Sequence, residues 1–439
     1  MSSELIGVVG IVVLMLLLIL RVPIGIALIS VSFGGIWALL GSRSAWGILA
    51  VVPYDFVAQW TLSSVPMFLF MGFVAYYGGL TKGLFEAAKV WFARLPGGLA
   101  IASIFGSTAF ASVSGSSVAC AAAMGRIAIP EMLQRRYDPA LATGAVAAGG
   151  TLGALIPPSI LLIVYGVFTE TPISKLFMAA LGIGLLSAAG YILLIMVRVW
   201  LNPDLAPRGG GSEDEAESDL TPLQHLLAMW PVMALFAFVM GGLFLGFFTA
   251  TEAGALGALA AILLAWVRGS LPWRALKQAV VETIGTTAGL FLIGIGANLL
   301  SRFMTLSGSD DLIAALILGV SADPYLLLLV IALIYLVIGM FLDPFGAMLL
   351  TLPVLLPVLA EADISTLWFG IFLLKLLEVG MLTPPIGLNV FVIKSVVGDQ
   401  VSLQTIFKGV TWFIAVDLIL ITLMVFFPGL VTYLPSLGG

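Results

Sequence analysis

Two pairs of adjacent prolines lie in strongly apolar sequence: Pro157-Pro158 within the motif GALIPPS and Pro384-Pro385 within the motif GMLTPPI. Because proline has no N–H, each pair must interrupt an α-helix and leave backbone carbonyl groups without their helical donors. Carbonyl oxygens around a small cavity suit a hard cation such as Na⁺, and the N-terminus of the helix beyond a break suits an anion. The two motifs therefore predict two interrupted helices that bind ions.

The expected cation ligands at the breaks are backbone carbonyl groups with a few hydroxyl groups. In the first break we expect the carbonyls of Gly153 and Ala154 to be free. In the second break the corresponding carbonyls belong to Gly380 and Met381, and Thr383 adds a hydroxyl oxygen. Such a site needs no carboxylate, so the lack of an acidic residue in GALIPPS does not argue against it.

Polar residues also follow each break. Ser159 lies at the predicted start of the helix beyond the first break, and Asn389 lies one turn inside the helix beyond the second. Helix N-termini present N–H groups that bind anions. These positions therefore predict an anionic substrate near the breaks.

The composition indicates a membrane protein solvated mainly by the lipid bilayer. Of the 439 residues, 61% are hydrophobic and 9% are charged, whereas about a quarter of the residues of a soluble protein are charged. The net charge of −5 is small and predicts no nucleic-acid partner. One cysteine and one histidine exclude an internal disulfide and argue against a His/Cys metal site. No paired catalytic carboxylates or nucleophile–base set stands out, so we do not expect an enzyme.

An acidic stretch at 202–222, rich in proline and glycine, divides the chain nearly in half and predicts a solvated linker. The proline motif recurs across it at an offset of 384 − 157 = 227, and Pro130 and Pro357 keep the same offset (357 − 130 = 227). The two halves therefore form an internal repeat. We expect four segments: N-terminal scaffold spans (1–62), a first repeat (63–200), an acidic cytoplasmic linker (201–222) and a second repeat (223–439).

The charged loops indicate that the two repeats have opposite orientations in the membrane. The stretches 81–97 and 125–138 contain six Lys/Arg and three acidic residues, whereas the equivalent stretches 308–324 and 352–365 contain no Lys/Arg and five acidic residues. The positive-inside rule makes the first pair cytoplasmic and the second pair external. Arg21, after the first apolar run, likewise predicts a periplasmic N-terminus. Inverted repeats with helices interrupted at matching positions are typical of secondary transporters.

Upstream of each break lies a stretch that predicts a re-entrant hairpin. Residues 106–125 are almost all small and have basic residues on both sides, so this segment is expected to enter from the cytoplasm and return there. Its partner at 337–353 contains Gly339, and at the offset of 227 Ser116 corresponds to Asp343. We expect the two tips to meet near the breaks. Two alternatives stay open: close helix packing for the small residues, and an N-cap role for Asp343.

A few charged residues within apolar helices are predicted to have structural roles. Lys375 and Glu378 are three residues apart on one helix and are expected to pair with each other. Asp417, within the last span, is expected to face a partner on another helix. Glu252 follows Thr251 at the start of a span and predicts a helix N-terminus.

The motifs in both halves resemble a known family, the large membrane subunit of tripartite ATP-independent periplasmic (TRAP) transporters. In the first half the resemblance is carried by GSSVACAAAMGRIAIPEM and YDPALATGAVAAGGTLGALIPPSI. In the second half it is carried by GMFLDPFGAMLLTLPVLLPV and LEVGMLTPPIGLNVFV. The likeness extends through both repeats and so covers most of the chain.

The resemblance implies an all-α polytopic membrane fold of the ion-transporter superfamily, with two inverted-topology repeats, two re-entrant helical hairpins and discontinuous helices. It implies a transport domain that moves like an elevator against a scaffold, and a Na⁺ gradient that drives uptake of a small carboxylate or sulfonate. Such subunits work in the bacterial inner membrane with a small four-helix membrane subunit and a periplasmic substrate-binding protein. We expect the small subunit to be a separate chain.

The resemblance also assigns roles to residues at matching positions. The first Na⁺ site would use Ser114, Gly153, Ile156 and Pro157, largely through backbone carbonyls. The second would use Gly339, Gly380, Thr383 and Ile386. The substrate would lie between the hairpin tips, near Ser116, Ser117, Ser159 and Asp343. No organic cofactor is expected.

Three other functions compete with this interpretation. A Na⁺/carboxylate symporter of the same architecture would need no binding protein. A passive channel would use the two broken helices as a static filter. An intramembrane enzyme is the weakest of the three, because its catalytic groups are missing from the sequence.

Overall fold

The structure of the protein, a computed structural model, describes residues 2–81, 83–206, 222–310, 312 and 323–437. Within these ranges the regular structure is helical. Eight of the described helical segments are long and apolar enough to cross a membrane, judged by length and composition. The predicted all-α polytopic fold is therefore confirmed. The predicted acidic linker lies largely outside the described residues, as does much of the acidic stretch 308–324.

Three helices come first: α1 (Ser3–Ile19), α2 (Ile24–Leu40) and α3 (Ser42–Val57). A 3₁₀ turn (Trp60–Ser63) then leads to α4 (Ser64–Tyr77), which is followed by the short helix α5 (Gly83–Phe92). The chain turns sharply between α2 and α3 at Gly41, whose φ of 85° is open to glycine at little steric cost.

The first repeat continues with a hairpin, an interrupted helix and a long return helix. The hairpin consists of α6 (Gly98–Ser114) and α7 (Ser117–Gln134), the interrupted helix of α8 (Pro139–Leu155) and α9 (Ile160–Phe168), and the return helix is α10 (Ile173–Leu201). The hairpin is longer than the predicted stretch 106–125, because α6 already begins at Gly98 and α7 continues through Pro130. Helix α8 starts where Asp138 accepts a hydrogen bond from the N–H of Leu141 at 2.8 Å.

Three helices open the second half: α11 (Pro222–Phe244), α12 (Ala250–Val267) and α13 (Trp273–Ser307). The second hairpin consists of α14 (Pro324–Phe341) and α15 (Pro344–Glu361), and the second interrupted helix consists of α16 (Thr366–Gly380) and α17 (Leu388–Val397). The return helix is α18 (Leu403–Phe426), and the last described helix is α19 (Gly429–Leu437). At the start of α12, Thr249 and Glu252 form a capping box, which confirms the helix N-terminus predicted at Glu252.

The helices of the two halves keep the register of the sequence repeat. Helices α7 and α15 are displaced by 227 residues at both ends (344 − 117 = 227 and 361 − 134 = 227). The first residues of α6 and α14 differ by 226 (324 − 98), and those of α8 and α16 by 227 (366 − 139). For α9 and α17 the difference is 228 (388 − 160), and for α10 and α18 it is 230 (403 − 173). The predicted repeat is therefore a repeat of structure as well as of sequence.

Helix α8 lies at the centre of the fold and contacts helices of both halves. Every residue from Ala140 to Leu155 is buried. A Cβ added at Gly144 would lie 2.5 Å from the backbone of Gly409 in α18, and one added at Gly150 would lie 2.6 Å from the Cβ of Ala121 in α7. Small residues allow this close approach, which is how helices associate in lipid. Close packing therefore explains part of the small-residue stretch 106–125.

Candidate functional site

The first interrupted helix breaks between α8 and α9, where the Pro157-Pro158 peptide bond is cis. Neither proline has an N–H, so the carbonyls of Gly153 and Ala154 have no helical donor. Residues 151–160 are all buried. This enclosure is what a membrane requires, since non-helical backbone is tolerated there only when protein or a water-filled cavity surrounds it.

The tip of the first hairpin rests on this break. Gly115 forms the turn with a φ of 60°, and a Cβ added to it would lie 2.6 Å from the carbonyl oxygen of Pro158. A Cβ added at Gly153 would lie 2.6 Å from the carbonyl oxygen of Ser116. Glycine is therefore needed on both sides, because the backbone of the tip touches the backbone of the break.

The residues of the first predicted Na⁺ site lie in these two touching segments: Ser114, Gly153, Ile156 and Pro157. Ser114 Oγ is buried, and the described residues offer it no hydrogen-bond partner. Leaving such a group unpaired costs about 1–3 kcal/mol, so an oxygen-seeking ligand is favoured there. No cluster of three or more His, Cys, Asp or Glu side chains that could hold a metal occurs in the described ranges. A cation of the Na⁺ type, bound by carbonyl and hydroxyl oxygens, fits this environment.

The second interrupted helix has a longer and more exposed break. Residues 381–387 separate α16 from α17, whereas residues 156–159 separate α8 from α9. The Pro384-Pro385 bond is also cis, but both prolines and Ile386 are exposed. The two breaks therefore both contain a cis proline pair, but the first is buried and the second is exposed at its prolines.

The prediction of free carbonyls in the second break is wrong, because both carbonyls have replacement donors. The N–H of Thr383 donates to Gly380 at 3.2 Å, and the N–H of Asn389 donates to Met381 at 3.1 Å. Helix α17 has no side-chain cap at Gly387, so an N–H from its first turn is free to reach back across the longer break. Each carbonyl keeps a second lone pair that an ion can still use.

The second hairpin meets its break through a contact between two glycines. A Cβ added at Gly380 would lie 2.7 Å from Cα of Gly339 and 3.0 Å from its carbonyl oxygen. Thr383 Oγ1 donates to the carbonyl of Val379 at 2.7 Å, which leaves the lone pairs of the hydroxyl available. Ile386 lies in the same turn and is 38% exposed. Of the second predicted Na⁺ site, Gly339 and Gly380 are therefore in contact, and Thr383 and Ile386 lie in the break that follows Gly380.

Three of the four predicted substrate residues cap helices. Ser116, Ser159 and Asp343 each accept a hydrogen bond from the backbone N–H three residues later, at 3.4, 3.5 and 3.0 Å. The N-cap role considered for Asp343 is thus confirmed. The fourth, Ser117, donates to the carbonyl of Thr151 at 3.4 Å.

The predicted substrate residues divide between the two hairpins. The three serines border the first break, whereas Asp343 lies at the tip of the second hairpin. A Cβ added at Gly346, which Asp343 caps, would clash with Ile24 of α2. The first hairpin therefore meets the break of its own repeat at its tip, and the second meets its break at Gly339, just before its tip, which lies beside α2.

A fully buried ionic network joins α10, α16 and α18. Lys375 Nζ lies 3.0 Å from Glu378 Oε2, which confirms the predicted pair, and 2.8 Å from Asp417 Oδ1. Lys375 is thus the partner on another helix that was predicted for Asp417. Asp417 also accepts a hydrogen bond from the Tyr191 hydroxyl, which lies 2.7 Å from both carboxylate oxygens. Glu378 Oε1 is buried and has no partner among the described groups. One ammonium group therefore holds two carboxylates inside the protein.

A polar cleft that the sequence did not predict lies at the end of α9. A cavity of about 680 Å³ is bordered by the ends of α9 and α11 and by the starts of α10 and α12. A second cavity of about 180 Å³ shares Gln59, Val167 and Glu170 with it and adds Asn298 and Ser301 of α13. Asn298 and Ser301 are polar residues within an apolar helix, a pattern from which a polar cavity here could have been predicted.

The fold is shared with transporters of known structure. The YdaH transporter of Alcanivorax borkumensis matches with a TM-score of 0.60 and 16% identity, over 88% of this chain and 89% of that one. The MtrF structure of Neisseria gonorrhoeae, described as illuminating a class of antimetabolite efflux pumps, matches with a TM-score of 0.62 and 15% identity, over 89% and 86%. At these identities the likeness concerns the fold. The chain is thus a polytopic membrane protein with a transporter fold.

The family follows from sequence comparison. Residues 11–430 match the family described as the tripartite ATP-independent periplasmic transporter, DctM component. The chain is 33% identical to the C4-dicarboxylate TRAP transporter large permease protein DctM of Pseudomonas aeruginosa, over 92% of this chain and 91% of that protein. It is 31% identical to the isethionate TRAP transporter permease protein DctMQ of Oleidesulfovibrio alaskensis (94% and 64%) and 30% identical to the sialic acid TRAP transporter large permease protein SiaM of Vibrio cholerae (96% of each). The chain belongs to the DctM family of TRAP transporter large permeases.

Proposed function

We propose that this chain is the translocating membrane subunit of a Na⁺-coupled uptake system for a small organic acid in the bacterial inner membrane. A periplasmic binding protein delivers the substrate, and a small four-helix membrane subunit completes the scaffold. Relatives named for C4-dicarboxylate, isethionate and sialic acid support a carboxylate or sulfonate as substrate. The single observation that carries the proposal is the contact of each hairpin with the interrupted helix of its own repeat.

The cation sites would control the geometry of the hairpin tips. A Na⁺ ion that takes oxygens from Ser114 and from the first break joins α6 to α8, and one that takes oxygens from Thr383 and Gly339 joins α14 to α16. Bound Na⁺ therefore fixes the tips in place. The N-termini of α7 and α9, capped by Ser116 and Ser159, then hold a substrate carboxylate through their N–H groups.

The moving part of such an elevator would contain the hairpins, the interrupted helices and the return helices. These elements would move past α1–α4 and α11–α13. The polar cleft at the end of α9 lies between the two sets of helices, because both contribute to its walls. It gives a boundary along which one set of helices can move past the other.

Na⁺ binding is tested by thermal unfolding of the purified protein in NaCl and in KCl at equal ionic strength. An ion that binds only the folded state stabilises it by RT ln(1 + [L]/Kd), about 2.7 kcal/mol at a hundredfold excess over Kd. We expect a Na⁺-specific rise in the unfolding temperature that is reduced in Thr383→Val. Thr422→Val is the matched control, because Thr422 makes the same 2.7 Å bond to the carbonyl four residues earlier. Equal unfolding temperatures in the two salts would remove the basis for Na⁺ coupling.

Transport is tested in proteoliposomes with an inward Na⁺ gradient, a panel of small carboxylates and sulfonates, and the purified binding protein and small subunit. We expect accumulation against the substrate gradient only when the binding protein is present. Equal accumulation without it would make the chain a stand-alone symporter. Equilibration without accumulation would contradict Na⁺-coupled uptake and favour a passive channel.

A further inference from the structure

Asn389 connects the second break to the central helix α8. Its side chain is fully buried in the first turn of α17. Its backbone N–H donates to the carbonyl of Met381 at 3.1 Å and so closes the second break. Its side-chain Nδ2 donates to the carbonyl of Ala147 in α8 at 3.4 Å. One residue therefore holds a carbonyl of each interrupted helix.

The far end of this connection leads directly to the first break. Ala147 precedes Gly153 by six residues (153 − 147 = 6), which is about 9 Å along a helix. Helix α8 is buried along this whole segment, so it is packed on all sides and moves as a unit. A shift of Asn389 is therefore transmitted to Gly153, where the first hairpin tip rests.

The hydrogen bonding of the Asn389 side chain is incomplete in this conformation. Nδ2 must face the carbonyl of Ala147, because an oxygen in that position would be repelled. Oδ1 then remains buried and has no partner in the described part of the chain. A buried acceptor without a donor destabilises this arrangement, so a rearrangement that brings it a donor is favoured. A movement of either break therefore changes the contacts of the Asn389 amide.

We propose that Asn389 is a positioning residue that couples the two Na⁺ sites, so that binding at one break raises the affinity of the other. The inference rests on the proposed Na⁺ function. Na⁺ bound in the second break draws on the carbonyls of Gly380 and Met381. The N–H of Asn389, which donates to Met381, follows this movement, and the Asn389 side chain passes it to Ala147 of α8. By linkage, Na⁺ in the first break acts on the second by the same free energy.

The test is equilibrium binding of radioactive Na⁺ to the purified protein, with the Hill coefficient as readout. For two positively coupled sites of similar intrinsic affinity, the wild-type coefficient lies above one and is at most two. In Asn389→Leu, which keeps the number and branching of the side-chain heavy atoms and removes the amide, we expect the coefficient to fall to one or below, with the same number of Na⁺ ions bound at saturation. An unchanged coefficient, a wild-type coefficient of one, or the loss of a bound ion would each overturn the proposal.

Val390→Ala is the structural control, because Val390 is the buried neighbour of Asn389 on the same helix. It should lower the unfolding temperature and leave the Hill coefficient unchanged. Where Asn389→Leu does not fold, Asn389→Ala removes the same amide without adding branched carbon atoms, and the same expectation applies. A wild-type protein that binds no Na⁺ would overturn the proposed function itself, which separates the two failures.

Discussion

Ser116 and Asp343 occupy the same position in the two repeats, since 343 − 116 = 227, and each caps the second helix of a hairpin. Their bonds to the N–H three residues later are 3.4 and 3.0 Å long. A carboxylate at a helix N-terminus neutralises the positive end of the helix dipole, whereas a hydroxyl leaves it largely available. The first hairpin tip is therefore the better place for an anionic substrate.

Ser114→Ala separates ion binding from folding. Ser114 Oγ has no hydrogen-bond partner within the described ranges, so its removal breaks no protein–protein hydrogen bond. We expect the unfolding temperature in KCl to stay the same or rise, and the additional rise in NaCl to shrink. Ser112→Ala is the control, because Ser112 Oγ donates to Ala109 at 2.7 Å. A full Na⁺ response in Ser114→Ala would contradict the assignment of this hydroxyl to the first site.

Gly380→Ala tests the contact between the second hairpin and its break. The new Cβ would lie 2.7 Å from Gly339 Cα, a backbone atom that cannot rotate away, so α14 must shift. Overpacking of this kind costs about 1–3 kcal/mol. We expect a lower unfolding temperature and weaker Na⁺ binding. In Gly289→Ala on α13, where a Cβ meets no atom within 4 Å, both properties should be retained.

Lys375→Met tests the buried ionic network. The substitution leaves Glu378 and Asp417 buried without a cation, and breaking a buried ion pair in this way costs about 3–5 kcal/mol. We expect a large fall in the unfolding temperature, partly reversed by a second substitution, Asp417→Asn. Lys408→Met, at an exposed position of α18, should have little effect. The network would have no stabilising role if Lys375→Met and Lys408→Met unfolded at the same temperature.

Lys89→Met gives a pH-dependent prediction at the junction of α5 and α7. Lys89 Nζ lies 2.8 Å from Glu131 Oε1 and 3.0 Å from Glu86 Oε2. Burial disfavours the charged ammonium, but the hydrogen bonds to Glu131 and Glu86 and their negative charges outweigh it and raise the pKa of Lys89. Because the pKa of Lys89 is higher in the folded state, the charged lysine stabilises the folded protein fully at pH values below its unfolded-state pKa. This stabilisation is lost as the pH rises through the folded-state pKa.

The free energy of unfolding of wild type and Lys89→Met should therefore differ by a constant amount between about pH 6 and 9, and the difference should decline above the ordinary lysine pKa of about 10.4. The pair is partly exposed, so the difference should be about 0.2–1 kcal/mol. Chemical denaturation at a series of pH values measures it. A decline already between pH 6 and 9 would assign the effect to another group.

Much of the architecture followed from local rules. Proline pairs break helices wherever they occur, so Pro157-Pro158 and Pro384-Pro385 marked both interruptions. The constant offset of 227 residues predicted the repeat, because equivalent sequences fold into equivalent elements. The three-residue spacing of Lys375 and Glu378 sufficed to predict their pairing, since both side chains share one face of a helix.

The sequence by itself thus determined the membrane class, the repeat and the position of each break, since these depend on composition and on neighbouring residues. Only the tertiary structure decided which groups meet across long separations: Gly339 with Gly380, Asp417 with Tyr191 and Lys375, and Asn389 with Ala147. It also decided that the carbonyls of the second break have donors. Such contacts depend on how the helices pack, and no local pattern specifies the partner that packing brings to a given atom.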